Sequence, residues 1–81
     1  MRISAVLPTL NDAGLLPACL QALREADEII VSDGGSCDGT PDIARSLGAQ
    51  VVTGSPGIGA QLARGADAAC CEGLLFLPAC T

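Results

Sequence analysis

The chain has 81 residues, enough for one small domain, and a formal net charge of −5 from nine Asp and Glu residues against four Lys and Arg. This acidic balance disfavours a nucleic-acid surface and attraction to an anionic membrane, because both need clustered Lys and Arg. Hydrophobic residues make up 49% of the chain and aromatic residues only 1%, so the core must be aliphatic.

The composition also excludes several kinds of site. The chain has no His, and its five Cys form no C-x-x-C pair, which argues against a zinc site and against a Ser–His–Asp arrangement. No apolar run approaches the roughly 20 residues that span a bilayer, and no secretory signal is visible. We therefore expect no transmembrane segment and a cytoplasmic location.

The first predicted elements are a buried strand and a helix. An apolar run at residues 2–7 predicts the strand, and Pro8 should end it because proline cannot donate to a central ladder. A polar loop from Pro8 to Asp12 follows. Leucines at helical spacing then predict a helix over about residues 14–24.

The next strand, loop and helix carry the most informative pattern of the chain. Residues 28–32 predict a buried strand, and a loop with three glycines and two aspartates comes directly after it. Thr40 is the predicted N-cap of the next helix, with Pro41 at its first position and its end near Leu47. Ligands bind at the carboxyl ends of parallel strands, so Asp33 and the glycines predict a site for a base, a ribose or a sugar. Ordinary turn chemistry is the alternative.

The last elements repeat the alternation. A strand is predicted at residues 50–53, a helix over about residues 58–71, and a fourth strand at residues 74–77 that Pro78 ends. On the helix, one side carries Leu62, Ala66 and Ala69. The order β-α-β-α-β-α-β predicts an α/β fold with a parallel sheet, about half of a doubly wound domain, as a single domain over residues 1–81.

Common nucleotide-binding motifs do not match. Gly57 and Gly59 follow a strand, but Leu62 stands where a dinucleotide fingerprint needs its third glycine, so a dinucleotide-binding Rossmann half is only a minor alternative. A Walker A loop needs a Lys, which the chain does not contain.

Four segments together resemble one known family. Residues 3–12 resemble S-V-V-I-P-T-x-N-E, residues 31–40 resemble V-x-D-x-x-S-x-D-G-T, residues 57–66 resemble G-x-x-x-Q-x-N-x-G, and residues 74–81 stand where L-L-F-L-[DH]-A-D belongs. These are motifs of family-2 glycosyltransferases with the GT-A fold. Within that family, the Gly-Gly pair and Gln61 are similar to short bacterial members associated with radical-SAM/selenodomain and arsenosugar gene sets.

The resemblance implies that this segment is the amino-terminal, nucleotide-sugar-binding part of such an enzyme, Rossmann-like, with strand order 3-2-1-4. Its partner would be a UDP- or GDP-type sugar, with Asp12 in the nucleoside pocket, Asp33 accepting from the base and Gln61 near the donor. The implied substrate-binding residues are Pro8, Thr9, Asp12, Asp33, Gly35, Ser36 and Gln61.

The chain departs from the family at positions that matter for chemistry. The family uses Mg²⁺ or Mn²⁺ held by a D-x-D motif, but Pro78 and Cys80 occupy those positions, so the metal ligands are lost and we assign no metal site and no catalytic residue. Arg64 either faces a diphosphate or lies on a solvated helix face. The acceptor half is absent, so we expect the chain to be inactive alone, from a truncated or frame-shifted gene.

Two functions therefore remain open at this point. The first is part of a glycosyltransferase that moves a sugar from a nucleotide-diphosphate sugar to an unknown acceptor. The second is a non-catalytic remnant that binds a nucleotide, or an interaction fragment that self-associates through its open sheet edge.

Overall fold

The computed structural model describes residues 2–77 of the chain. Its strands and helices alternate in the order β1 (Ile3–Thr9), α1 (Leu16–Ala22), β2 (Glu28–Asp33), α2 (Thr40–Ser46), β3 (Gln50–Thr53), α3 (Ile58–Ala68) and β4 (Gly73–Phe76). The four strands form one parallel sheet in the order β3-β2-β1-β4. The predicted α/β fold with strand order 3-2-1-4 is confirmed.

The helices lie on both faces of the sheet, because alternate residues of the central strands point in opposite directions. The main core lies under α1 and α2 and consists of Leu7, Leu16, Leu20, Val31, Ala44 and Ala49. On the other face, α3 crosses β1 and β2 and covers Val6. This arrangement leaves the loops at the carboxyl ends of the strands together at one edge of the sheet.

Helix α3 approaches the sheet closely because Gly65 has no side chain. A Cβ atom at Gly65 would lie 2.3 Å from Cγ1 of Val6. We expect Gly65→Ala to lower the free energy of unfolding by about 1–3 kcal/mol, measured by urea denaturation, because overpacking outweighs the better helix propensity of alanine.

A control for this substitution lies in the same helix. Gly59 has no atom within 4 Å of its built Cβ, so Gly59→Ala should be neutral or stabilise the protein by up to about 1 kcal/mol. Equal effects of the two substitutions would contradict the close packing of α3 on Val6.

Strand β1 continues through Pro8 to Thr9, so the prediction that Pro8 ends the strand is wrong. The backbone of Val6 faces β4, since its carbonyl accepts a hydrogen bond from the N–H of Leu77. Pro8 faces the same side, but β4 pairs with β1 only as far as Val6. The missing N–H of Pro8 therefore costs no ladder hydrogen bond.

Helix α2 begins at Thr40, with Gly39 as its N-cap at a φ of 86°, so the prediction of Thr40 as the N-cap is wrong. The hydroxyl of Thr40 makes no capping bond. It is buried, donates to the carboxylate of Asp38 and accepts the N–H of Asp12 at 3.1 Å. Thr40 therefore joins the loop after β1 to the loop after β2.

Helix α3 ends at Ala68, earlier than predicted, because the backbone N–H groups that follow it donate to side chains of the sheet. The N–H of Cys70 donates to Oε1 of Glu28 at 2.9 Å, and the N–H of Cys71 donates to Oγ of Ser4 at 3.2 Å. The bonds of Cys70 and Cys71 attach the connection between α3 and β4 to the sheet. Helix α1 is also shorter than predicted and covers Leu16–Ala22.

The edge strand β4 exposes apolar side chains. Leu74, Leu75 and Phe76 are 43%, 46% and 46% exposed. Within residues 2–77, β4 pairs with β1 alone, and its other edge is open. None of the helices described has the length and apolar character needed to cross a membrane.

Candidate functional site

The loops after β1 and β2 are joined by hydrogen bonds at the carboxyl edge of the sheet. The N–H of Asn11 donates to Oγ of Ser36 at 2.8 Å, and the N–H of Cys37 donates to Oδ1 of Asn11 at 2.8 Å. The N–H of Ala13 donates to Oδ2 of Asp38 at 3.1 Å. Asn11 has a φ of 55°, a conformation that asparagine tolerates. The two loops therefore form one hydrogen-bonded unit.

Asp33 lies at the centre of this unit and is 1% exposed. Its Oδ1 accepts the hydroxyls of Thr9 at 2.8 Å and Ser36 at 2.5 Å. Its Oδ2 accepts the N–H groups of Gly35 at 3.0 Å and Ser36 at 2.7 Å. Gly35 has a φ of 96°, which favours glycine. All four acceptor positions of this carboxylate are thus used inside the protein.

The hydrogen bonds also set the ionisation of these carboxyl groups. Burial alone would raise the pKa of Asp33, but the bonds from Ser36 and Thr9 outweigh it and the pKa is lowered. The N–H of Cys70 and the hydroxyl of Ser4 lower the pKa of Glu28. Both groups are therefore held in the charged form in the folded protein.

These shifts predict that the protein is less stable in acid. A folded-state pKa below the unfolded value contributes stability that is present above the unfolded pKa and is lost as the pH falls through the folded pKa. We expect the free energy of unfolding to be constant near neutral pH and to fall below the ordinary values of 3.8 for Asp33 and 4.5 for Glu28. Urea denaturation across that range measures it, and Asp33→Asn should make the decline shallower. A free energy of unfolding that rises in acid would contradict these assignments.

Gln61 of α3 is a second buried polar group at this edge, 3% exposed. Its Nε2 donates to the carbonyls of Thr9 and Ser32, each at 2.9 Å, and its Oε1 accepts the N–H of Gly57 at 3.1 Å. One side chain therefore connects the ends of β1 and β2 to the start of α3. The buried positions of α3 are Gln61 and Gly65, while Leu62 is half-buried.

Arg64 lies against the loop between β3 and α3. Its Nη2 donates to the carbonyl of Ser55 at 3.2 Å, and a Cβ at Gly54 would lie 2.3 Å from its Cζ. Its Nη1 is buried. This Nη1 has no hydrogen-bond partner among residues 2–77, which argues against a solvated helix face, while a contact with a diphosphate stays a prediction.

A cavity of about 230 Å³ opens between the end of β1 and the start of α3. It is lined by Pro8, Thr9, Leu10, Asp12, Gly57, Ile58 and Gln61. Its volume is below the roughly 300–1,000 Å³ of sites that enclose a drug-sized ligand, so it suits a base and a sugar ring rather than a complete nucleotide sugar.

Four of the predicted site residues lie together in the wall of this cavity: Pro8, Thr9, Asp12 and Gln61. The other three, Asp33, Gly35 and Ser36, form the loop behind Thr9 and do not line the cavity. The sequence prediction did not assign Asn11, which joins the two loops. Its place in the P-T-x-N pattern is the feature that pointed to it.

Asp12 is the charged residue of the wall. Its Oδ2 accepts the N–H of Leu10 at 3.1 Å, and its Oδ1 accepts no hydrogen bond from residues 2–77. A carboxylate with free acceptor positions beside an apolar wall suits a ligand that offers N–H or O–H groups.

A larger groove of about 690 Å³ lies at the opposite edge of the sheet. It is bounded by the ends of α1 and α2 and the starts of β2 and β3, and none of the predicted site residues lines it. Leu47, the C-cap residue of α2, is 50% exposed there.

Comparisons with known proteins agree with this geometry. A family model described as glycosyl transferase family 2 matches residues 4–78. The PGL/p-HBAD biosynthesis glycosyltransferase of Mycobacterium bovis (strain BCG / Pasteur 1173P2) is 38% identical over 87 aligned positions, which cover 94% of this chain and 34% of that protein. The chain thus spans about a third of the length of this relative.

Solved structures show the same fold. Glucosyl-3-phosphoglycerate synthase from Mycobacterium tuberculosis in complex with Mn²⁺, UDP and phosphoglyceric acid superposes with a TM-score of 0.83 at 31% identity, over 94% of this chain and 32% of that one. The same enzyme in complex with UDP gives a TM-score of 0.73 at 34% identity, over 85% of this chain and 30% of that one. The predicted GT-A resemblance is confirmed.

The structure of residues 2–77 shows no set of ligands for the Mn²⁺ ion that accompanies UDP in that relative. Within residues 2–77, no three His, Cys, Asp or Glu side chains lie together in a way that could hold a metal ion. The predicted loss of ligands at Pro78 and Cys80 lies outside the described residues. By their chemistry, proline offers no side-chain donor and a thiol is a poor ligand for a hard cation.

Proposed function

Because the chain belongs to glycosyl transferase family 2, we propose that it forms the donor-binding part of an enzyme that transfers a sugar from a nucleotide-diphosphate sugar to an acceptor. The proposed ligand is of the UDP or GDP type. The observation that carries the proposal is the cavity between β1 and α3, where the free carboxylate of Asp12 faces a space of nucleoside size. We propose that residues 1–81 act as one domain in this role.

The proposed roles of the predicted residues fall into two groups. Pro8, Thr9 and Asp12 form the wall that contacts the nucleoside. Asp33 lies behind the wall and Gln61 is part of it, but both act by holding the wall in place, because their polar atoms are already bonded to the protein. The direct contact predicted between Asp33 and a base stays a prediction, as does the cytoplasmic location.

The chain alone is not expected to complete the transfer. An inverting transfer needs a general base beside the acceptor hydroxyl. Asp33 is buried and saturated with hydrogen bonds, and Asp38 accepts bonds from Ala13 and Thr40. We therefore propose that these 81 residues bind the donor nucleotide but do not cleave a nucleotide-diphosphate sugar at enzyme-like rates.

Calorimetry with UDP, GDP and NAD tests the binding proposal. We expect heat of binding with UDP or GDP at submillimolar to millimolar concentration, and Asp12→Ala should weaken it. Asp42→Ala, which removes an exposed carboxylate of α2, is the control and should leave binding unchanged. Binding of NAD in preference to UDP would support a dinucleotide site, and the absence of heat with every ligand would contradict the proposal.

A second candidate is an interaction fragment, favoured by the exposed side chains of Leu74, Leu75 and Phe76 on the open strand β4. Two copies that pair these strands would cover apolar surface and satisfy unpaired backbone groups. Sedimentation equilibrium at millimolar concentration should then show dimers, and Phe76→Asp should abolish them. Leu15→Asp, at a residue that is 49% exposed outside the sheet, is the control. A wild-type chain that stays monomeric would remove this candidate.

A further inference from the structure

We infer that the cavity between β1 and α3 selects an uncharged nucleoside over the corresponding nucleoside diphosphate. This inference rests on the proposed function and narrows it, because it names the part of the donor that this chain binds. It follows from where the fold places the charges around the cavity.

None of the four basic residues lines the cavity. Arg2 precedes β1, and Arg24 lines the groove at the opposite edge of the sheet. Arg45 pairs with Asp42 on α2 at 3.2 Å. Arg64 packs against Gly54 and donates to the carbonyl of Ser55. The sequence contains four Lys and Arg in total, and of these only Arg64 lies at the same edge of the sheet as the cavity, where its Nη1 has no hydrogen-bond partner among residues 2–77.

Negative charge, in contrast, collects at this edge. Asp12 lines the cavity, Asp33 lies directly behind Thr9, and Asp38 bonds to the loop that contains Asp12. None of these carboxylates is paired with an arginine among residues 2–77. The hydrogen bonds to Asp33 and Asp38 keep both groups ionised, since they lower the pKa of each.

This negative charge is opposed by the one positive charge of Arg64 and by the start of α3. Its first N–H groups have no side-chain cap, and the amino end of a helix carries the equivalent of about half a positive charge. The N–H of Gly57, directly before the helix, is already bonded to Gln61. Half a charge together with the single charge of Arg64 does not balance three carboxylates, so each phosphate added to a nucleoside should meet net repulsion.

Titrations with uridine, UMP and UDP in low-salt buffer with EDTA test this inference, using NMR or calorimetry on the wild-type chain. We expect affinity to fall from uridine to UMP to UDP, by about three- to tenfold overall, as Coulomb repulsion across solvent implies. The difference should shrink at about 0.5 M NaCl, because salt screens the repulsion. UDP binding more tightly than uridine would overturn the inference and leave the proposed function standing. No binding by any of the three would contradict the proposed function itself.

Two variants that each remove one negative charge show whether the repulsion arises at the cavity. Asp12→Asn should bring the affinities for uridine and UDP closer together, whatever it does to either one. Asp42→Asn removes the same charge from an exposed site on α2 and should leave the ratio unchanged. If both variants change the ratio equally, the repulsion comes from the net charge of the protein, and the cavity does not select its ligand.

Discussion

Asp33→Ala is expected to lower the free energy of unfolding by about 3 kcal/mol or more, the largest effect we predict for a single side chain. The substitution removes the acceptor for the N–H groups of Gly35 and Ser36 and for the hydroxyl of Thr9. These donors lie in a loop whose centre is shielded from solvent, so water replaces the lost bonds poorly. Urea denaturation at neutral pH measures the effect.

Asp33→Asn is the matched control for this substitution. An asparagine can keep one oxygen for the two backbone N–H groups, while its amide donates to the hydroxyls of Thr9 and Ser36 after these rotate. We expect it to cost about 1 kcal/mol, well below the alanine variant. If asparagine is as damaging as alanine, charge rather than hydrogen bonding makes Asp33 important.

Gln61→Leu is expected to lower the free energy of unfolding by about 2–3 kcal/mol, because it removes three hydrogen bonds made by a side chain that is only 3% exposed. The carbonyl of Ser32 and the N–H of Gly57 each lose a bond, while the carbonyl of Thr9 still accepts the N–H of Gly34. The start of α3 should also become more mobile relative to β1. Hydrogen exchange at Gly57 is therefore expected to accelerate along with the loss of stability.

Two further variants test the cause of this effect. Gln21→Leu makes the same change at an exposed position of α1 and should alter the free energy of unfolding by less than about 0.5 kcal/mol. Gln61→Glu keeps an acceptor for Gly57 but places a second oxygen against the carbonyls of Thr9 and Ser32. That variant should gain stability as the pH falls and the new carboxyl group takes up a proton. A pH-independent loss would show that its repulsion with the carbonyls is not the cause.

The alternation of apolar runs and helical spacing was sufficient to predict the fold. The runs that became β1 and β2 are almost entirely buried, and parallel strands with right-handed connections leave few topologies for four such runs. The errors concern single residues. Pro8 remains in β1 because its neighbour strand ends early, and Thr40 bonds to Asp12 and Asp38 instead of capping its helix.

Only part of the candidate site could be predicted from the sequence. The motifs identified residues that meet in the cavity, such as Thr9 and Asp12, because loops at one edge of a parallel sheet converge. They did not separate residues in the wall from those beneath it. Gln61 is a polar residue at a buried helix position, and only the three-dimensional structure shows the backbone groups that it satisfies.

The central claim is the position of the nucleoside, and amide chemical shifts of the isotope-labelled 81-residue chain measure that position directly. On addition of uridine, we expect the largest changes around the cavity between β1 and α3, at Thr9, Leu10, Asp12, Gly57 and Ile58. Changes clustered instead at Leu20, Ile29 and Leu47, around the groove at the opposite edge, would contradict this claim.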